Sequence, residues 1–256
     1  MSAPQHELAT RLTSLEGRVG IVTGQSSGLG MAIAEVLADA GAKVYALNRT
    51  VREEAAHAGV TQWSVDVTDE AAVAEAVRRL GEADGIDFLV NNAGATVKKR
   101  AEDLTTAQWR TVHDVNIDAL FTLAREAFPY LSRSEHVGRI VSIASMAAHL
   151  GFPEVTPYCA SKAAVLGLTR GLAIEWAQDN VLVNSISPGW FPSEMNRNVI
   201  EADPERERRI LSRIPLGRYG DPQNIADMAL FLLSDAARYI TAQDFAVDGG
   251  ALGKGF

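Results

Sequence analysis

Thr23-Gly24-Gln25-Ser26-Ser27-Gly28-Leu29-Gly30 links a short β-branched run, Val19–Thr23, to a segment of helical period, Leu29–Ala40. The first turn of a helix leaves backbone N–H groups without partners, and the helix dipole adds partial positive charge there. Glycines at 24, 28 and 30 let that backbone come close to a phosphate, so the turn reads as a cradle for a pyrophosphate. The spacing is GxxxGxG rather than GxGxxG, and no Gly-Lys-Ser/Thr follows, which excludes a P-loop. Outward from the turn, apolar runs alternate with helical segments along the whole chain. Strands are expected at Val19–Thr23, Lys43–Leu47, Gln62–Val65, Asp87–Val90, Arg139–Ala144, Leu182–Ile186 and Asp244–Val247. Helices are expected at Leu29–Ala40, Glu70–Gly81, Thr106–Leu131, Tyr158–Gln178 and Asn224–Ser234, with Asp69, Thr105 and Asp221 as N-caps. This is the rhythm of an α/β fold: a doubly wound, parallel, seven-stranded sheet of Rossmann type.

The chain has 256 residues, 47% hydrophobic and 22% charged, with no composition shift or repeat, so residues 1–256 read as a single domain, and the glycine turn makes it a dinucleotide-binding one. Residues 193–220 break the rhythm with a polar, charge-dense stretch (EADPERERR) between prolines. Two readings fit it: a substrate lid over about residues 190–220, or a solvated surface helix. The formal charge of −8 disfavours a nucleic-acid partner. Met1–Leu15 lacks the layout of a signal peptide, and no apolar run approaches the ~20 residues of a membrane helix. A single cysteine, Cys159, excludes an intrachain disulfide, and no Cys/His cluster has metal-ligand spacing; both suit a reducing, cytoplasmic setting. Cys159 reads as a buried small thiol, because no histidine is placed to activate it.

The residues after the second and third strands bear on which dinucleotide fits. An acidic residue about 20 positions beyond the glycine turn ordinarily binds the adenosine ribose hydroxyls. Asn48 stands there instead, followed by Arg49. A neutral amide does not repel a 2′-phosphate, and a guanidinium can hold one in a bidentate pair, which favours NADP(H) with NAD(H) as the alternative. Asn48 can still hydrogen-bond a ribose hydroxyl. Asp66-Val67 offers a carboxylate to the adenine amino group or, equally, caps a turn.

Tyr158 and Lys162 lie four apart on one face of an expected helix. A free phenol titrates near 10, too high for a base at neutral pH. A cation ~4 Å away at an effective dielectric of ~20 contributes about 4 kcal/mol, enough to lower the phenol pKa by up to about three. A lysine therefore suffices to make a tyrosine an acid/base, although YxxxK alone is a common accident on helices.

The surroundings carry more weight. TGQSSGLG, Asn91-Asn92-Ala93-Gly94, the Asn of HDVNIDALF, the Ser of SIASMA, YCASK, Ser187-Pro188-Gly189 and the terminal Val247–Gly250 (VDGG) together resemble the short-chain dehydrogenase/reductase family, from Gly17 to Gly250. The resemblance implies that Tyr158 exchanges a proton with the substrate oxygen and that Lys162 binds the nicotinamide ribose and lowers the phenol pKa. It implies that Ser145 hydrogen-bonds the carbonyl or hydroxyl, and that Asn116 positions a water in a proton relay. Gly24, Ser26, Ser27, Gly28, Leu29, Gly30, Asn48, Arg49, Asp66, Val67, Asn92, Ala93 and Gly94 would line the cofactor crevice. Pro188 and Gly189 would pass the nicotinamide, and Ser193 replaces the threonine of the usual PGxxxT. A homotetramer is also implied, with Thr106–Leu131 and Tyr158–Gln178 pairing across one interface.

IASM (Ile143–Met146), IEWA (Ile174–Ala177), SPGWF and IPLGRYGDP are similar to the branch that holds gluconate 5-dehydrogenases and 2-deoxygluconate 3-dehydrogenases. Reductases of 3-oxoacyl thioesters and cyclic ketones share much of this. The expected activity is hydride transfer between NAD(P)(H) and a secondary alcohol or ketone, with a sugar acid or polyol as substrate. Met146, His149, Phe152, Trp190, Phe191 and Met195 are candidate pocket residues, with His149 either holding a substrate hydroxyl or simply exposed. Lys98-Lys99-Arg100 either draws an anionic substrate inward or forms a solvated face. Two other classes compete: a nucleotide-binding regulator without chemistry, disfavoured by the intact Ser145/Tyr158/Lys162 set, and a nucleotide-sugar epimerase or dehydratase, which needs a larger C-terminal domain.

Overall fold

The strands of the computed structural model, which describes residues 12–51, 57–191 and 204–255, are β1 (Val19–Thr23), β2 (Lys43–Asn48), β3 (Val60–Ser64), β4 (Phe88–Asn91), β5 (Gly138–Ile143), β6 (Val181–Pro188) and β7 (Asp244–Val247). All pair in parallel, in the order β3-β2-β1-β4-β5-β6-β7. The seven-stranded sheet expected from the sequence is therefore present. The largest shifts among the strands are in β3, which starts two residues early because Val44 of β2 pairs with Val60, and in β6, which runs two residues further to Pro188.

The helices are α1 (Gly28–Asp39), α2 (Glu70–Asp84), α3 (Thr106–His113), α4 (Ala119–Leu131), α5 (Thr156–Trp176), α6 (Pro204–Arg213) and α7 (Pro222–Leu233). Asp69 accepts from the Ala72 N–H, and Thr105 with Gln108 and Asp221 with Asn224 form capping boxes. The helix expected over Thr106–Leu131 is interrupted by a π-helical turn, Asp114–Asp118, between α3 and α4. In the 190–220 segment, α6 buries none of its residues, as a solvated surface helix would, and residues 192–203 lie outside the described ones. Among the described residues, no helix is long and apolar enough to cross a membrane.

Alternation along the strands sends side chains to two apolar layers. Val22, Val44, Val90 and Val141 meet Ile33 and Leu37 of α1 and Ile225, Ala229 and Leu232 of α7. On the other face, Ile21, Leu89, Ile140 and Val183 meet Val77 and Leu80 of α2, Leu123 and Ala127 of α4, and Leu172 of α5. Each such fully buried aliphatic side chain contributes roughly 1.5–3 kcal/mol. The strand order reverses between β1 and β4, and a crevice opens there at the strands' carboxyl ends.

Candidate active site

The glycine turn sits at that reversal and is held from both sides. Thr23 Oγ1 accepts from the backbone N–H groups of Asn92 and Ala93, both at 3.0 Å. Asn92 Nδ2 donates to the carbonyls of Thr23 and Gly24, also at 3.0 Å. A Cβ on Gly30 would lie 2.3 Å from the Gly24 oxygen and 2.4 Å from Asn92 Nδ2, so only glycine lets the helix start this close to the strand. Gly28 has a φ of +60° with open space beside it. Ser27, the N-cap of α1, makes no capping bond with its side chain, while Ser27 and Gly28 are exposed. A close-packed backbone with free N–H groups at an open helix N-terminus fits a dinucleotide's pyrophosphate.

Asn48 is turned inward: its Oδ1 accepts from the Gln25 N–H at 2.7 Å, and its Nδ2 lies 3.4 Å from Gln25 Oε1. Its amide oxygen thus braces the glycine turn. Arg49 is exposed beyond it. Asp66 accepts from the N–H and hydroxyl of Thr68, and these bonds hold its carboxyl below the ordinary value, with a smaller contribution from the Arg49 charge. These bonds are the turn that one of the two sequence readings for Asp66 expected. Val67 packs partly against the α2/α4 layer.

Asn116 lies in the π-helical turn, fully buried. Its Oδ1 accepts from the Ala95 N–H at 2.7 Å, and its Nδ2 donates to the Ala95 carbonyl (3.0 Å) and to Ser161 Oγ (2.8 Å). Ser161 in turn donates to the Tyr158 carbonyl at 2.9 Å. Lys162 Nζ donates to the Ile143 carbonyl at 2.7 Å, and burial lowers its pKa to about 8. A Cβ on Gly94 would come 3.6 Å from Asn116 Oδ1 and 3.8 Å from Lys162 Nζ, so the three meet at one point of the crevice.

Tyr158 lies between Lys162 and Ser145. Lys162 Nζ stands over the Tyr158 ring, 5.7 Å from its centroid. Burial raises the phenol pKa, and the hydrogen bond with Ser145 works against that rise. A desolvated phenoxide loses more hydration than this neutral neighbour returns.

Several contributors carried no sequence signal of their own. The Ser161 hydroxyl and the Ile143 carbonyl, which anchor Asn116 and Lys162, are ordinary helix and strand positions until the fold brings them together. The widened turn at Asp114–Asp118 is equally silent, although π-turns recur at functional sites.

Among the candidate pocket residues, Phe152 and Trp190 form an edge-to-face pair with centroids 6.1 Å apart. Phe191 instead packs on the α1/α7 layer against Gly220, and Met146 is buried. Pro188 ends β6 opposite Val247, and the Gly189 N–H donates to the Val247 carbonyl at 3.0 Å. Ser193 and Met195 lie outside the described residues. His149, for which an idle exposed position was one reading, reaches Asp244 and Ser187. Lys98 pairs with Glu154 and Arg100 with Glu102, which consumes two of the three charges in that run. Cys159 is partly exposed rather than buried as expected. A cavity of about 240 Å³ lies between Trp190, Phe191, Ile214, Tyr219 and Asp248. The larger hollow, about 540 Å³ around Asp87, Tyr130 and His136, is at the amino end of the strands and contains none of these residues.

A family model described as Enoyl-(Acyl carrier protein) reductase matches residues 23–251. A 2-dehydro-3-deoxy-D-gluconate 5-dehydrogenase of Dickeya dadantii is 36% identical over 94% of this chain and 98% of its own. A 3-oxoacyl-(acyl-carrier-protein) reductase of Thermotoga maritima is 37% identical over 92% of this chain and 98% of its own. The crystal structure of a putative NAD(P)-dependent gluconate 5-dehydrogenase from Beutenbergia cavernae, with NADP at low occupancy, superposes with a TM-score of 0.88 at 41% identity, covering 95% of this chain and 100% of that one. With the glycine turn, the buried asparagine and the Ser145/Tyr158/Lys162 cluster in one crevice, and these likenesses over nearly the full length, the chain belongs to the short-chain dehydrogenase/reductase family.

Proposed function

We propose that this chain is an NADP(H)-dependent oxidoreductase that interconverts a secondary alcohol and a ketone, with a sugar acid as substrate. The observation that carries the reading is the convergence of Ser145, Tyr158, Lys162 and Asn116 beside the glycine turn. Gly24, Ser26, Ser27, Gly28, Leu29 and Gly30 would hold the pyrophosphate. Arg49 would meet the 2′-phosphate, and Asn92, Ala93, Gly94, Pro188 and Gly189 would border the nicotinamide. The bound nicotinamide supplies or accepts the hydride. Tyr158 gives its phenolic proton to the substrate oxygen in reduction and takes it back in oxidation. Burial raises the phenol pKa, so the proton to be given is in place at neutral pH. Ser145 orients the same oxygen through its hydroxyl, and Lys162 and Asn116 hold the polar floor of the crevice beside Gly94.

The sugar-acid assignment is supported by the Dickeya and Beutenbergia relatives. The Thermotoga relative and the Phe152–Trp190 apolar wall favour a second reading, reduction of a 3-oxoacyl thioester. The proposal also includes a cytoplasmic homotetramer.

The test follows nicotinamide absorbance with D-gluconate, 2-dehydro-3-deoxy-D-gluconate and a 3-oxoacyl thioester, each with NADP(H) and NAD(H). Turnover of a sugar acid supports the main reading, and turnover of the thioester alone transfers it to the second. NADPH binding without turnover of any alcohol or ketone would make the chain a nucleotide-binding regulator. Sedimentation as a monomer would remove the tetramer.

A further inference from the structure

His149 ends the one-turn 3-10 helix Met146–Ala148, whose N-cap is Ser145. That turn is tightly bonded: Ser145 Oγ accepts from the Ala147 N–H at 3.1 Å, the Ala148 N–H donates to the Ser145 carbonyl at 2.9 Å, and the His149 N–H donates to the Met146 carbonyl at 3.1 Å. The backbone that carries the His149 ring is therefore hydrogen-bonded into the turn that begins at Ser145.

The ring does not point at random. His149 Nε2 lies 2.9 Å from Asp244 Oδ2 and 3.3 Å from Ser187 Oγ. Asp244 opens β7 and also accepts from Ser185 Oγ at 2.6 Å and from Ser187 Oγ at 2.8 Å. Ser185 and Ser187 are buried on β6, and Ser187 directly precedes Pro188-Gly189. The side chain of Asp244 is only 16% exposed and that of His149 34%, so this carboxylate has exchanged most of its water for three protein partners. The arrangement is not a nucleophilic triad. A single imidazole nitrogen faces both Ser187 and Asp244, and the Ser187 hydroxyl already bonds the carboxylate.

We propose that His149 and Asp244 are positioning residues. The pair ties the turn that bears Ser145 to the end of β6 that leads into Pro188-Gly189, and so fixes the distance between the two sides of the reaction cleft. The inference rests on the proposed role of Ser145 at the substrate oxygen. A misplacement of about 1 Å at a reacting centre costs up to roughly a hundredfold in rate, so such a tie has catalytic consequences without touching substrate.

The test uses full-length protein with NADPH bound. His149→Ala and Asp244→Ala are expected to raise amide hydrogen exchange roughly tenfold at Ala147, Ala148 and His149, while the Gly24–Gly30 turn stays as protected as in the wild type. His149→Gln, which keeps a donor within reach of Asp244, should restore part of that protection. With D-gluconate and NADP+, kcat should fall roughly tenfold in His149→Ala with KM for NADP+ unchanged. That loss should disappear in a Ser145→Ala background, where the group being positioned is gone.

Unchanged exchange in both variants overturns the tie, as does a rise spread evenly over the molecule. Exchange raised at the turn with kcat unchanged overturns the positioning role. A fully active Ser145→Ala would overturn the active-site reading while leaving the exchange result to stand. Wild-type protein inert toward D-gluconate would count against the sugar-acid substrate only, and the exchange comparison would then decide the tie by itself.

Discussion

The glycine turn and the proposed catalytic cluster share one crevice, yet they are built in opposite ways. The turn is made from eight consecutive residues, and what it offers a ligand is backbone. Its partners Asn92 and Asn48 brace carbonyl and N–H groups, and its demand on sequence is small volume at Gly24 and Gly30. The cluster takes single side chains from the π-helical turn, the end of β5 and α5, separated by up to 46 positions. It holds them with buried polar contacts: Asn116 to Ala95 and Ser161, and Lys162 to the Ile143 carbonyl. A cradle of backbone is insensitive to most side chains but intolerant of one extra carbon. A cluster of desolvated side chains is intolerant of losing any single partner, because an unsatisfied buried group costs about 1–3 kcal/mol.

The sharpest way to separate the two regions is Tyr158→Phe. It should lower kcat by about a thousandfold, within the span of general acid–base contributions, while the dissociation constant for NADPH changes by less than about twofold. Parallel steady-state kinetics and a fluorescence titration check both halves. Retained turnover would remove Tyr158 from the acid/base role.

Lys162→Met probes the cost of the cluster. The wild-type ammonium titrates at about 8 in the folded chain against 10.5 unperturbed, so the unfolded state binds more protons between those values. Wild-type stability should therefore climb as pH rises from about 8 to 10.5, by roughly 3 kcal/mol relative to the methionine variant, and the two should run parallel below 8 and above 10.5. Urea unfolding of both proteins across that range reads the difference. Parallel curves throughout would mean that the lysine is not desolvated.

In the turn, Gly30→Ala places a carbon 2.3 Å from the Gly24 oxygen. Overpacking of this kind costs about 1–3 kcal/mol. We expect the loss in both urea midpoint and NADPH affinity, with kcat of the saturated enzyme nearly intact. A drop in kcat with affinity unchanged would break the division between the regions.

The smallest effect is Arg49→Ala. Removing an exposed charge-assisted contact to a 2′-phosphate should weaken NADPH binding about tenfold and NADH binding hardly at all. An unchanged ratio would show that the neutral end of β2, rather than the guanidinium, sets any preference.

How far each region could be read beforehand follows from how it is built. β1 and β7 begin and end at the residues that periodicity indicates, and the caps Asp69, Thr105 and Asp221 are all in use, because these features are set by neighbours within four positions. The break between α3 and α4 escaped the same reading. A single π-turn shifts the helical phase by only about one residue, within the ordinary scatter of apolar spacing, and what it delivers is Asn116 against Ala95 and Ser161, far away in sequence. The phenol of Tyr158 shows the same limit: four-residue spacing puts Lys162 on its face but does not say whether the ammonium meets the oxygen or the ring.

Local order alone thus specified the alternation of strands and helices, the glycine turn and the residue types of the candidate site, since backbone conformation and helix facing depend on short-range sterics. Burial, and with it the proton affinities of Tyr158 and Lys162, the inward turn of Asn48 and the bonds of His149 to Asp244, came only with the packed sheet. Solvent is excluded by the whole molecule at once, and no stretch of chain contains that information by itself.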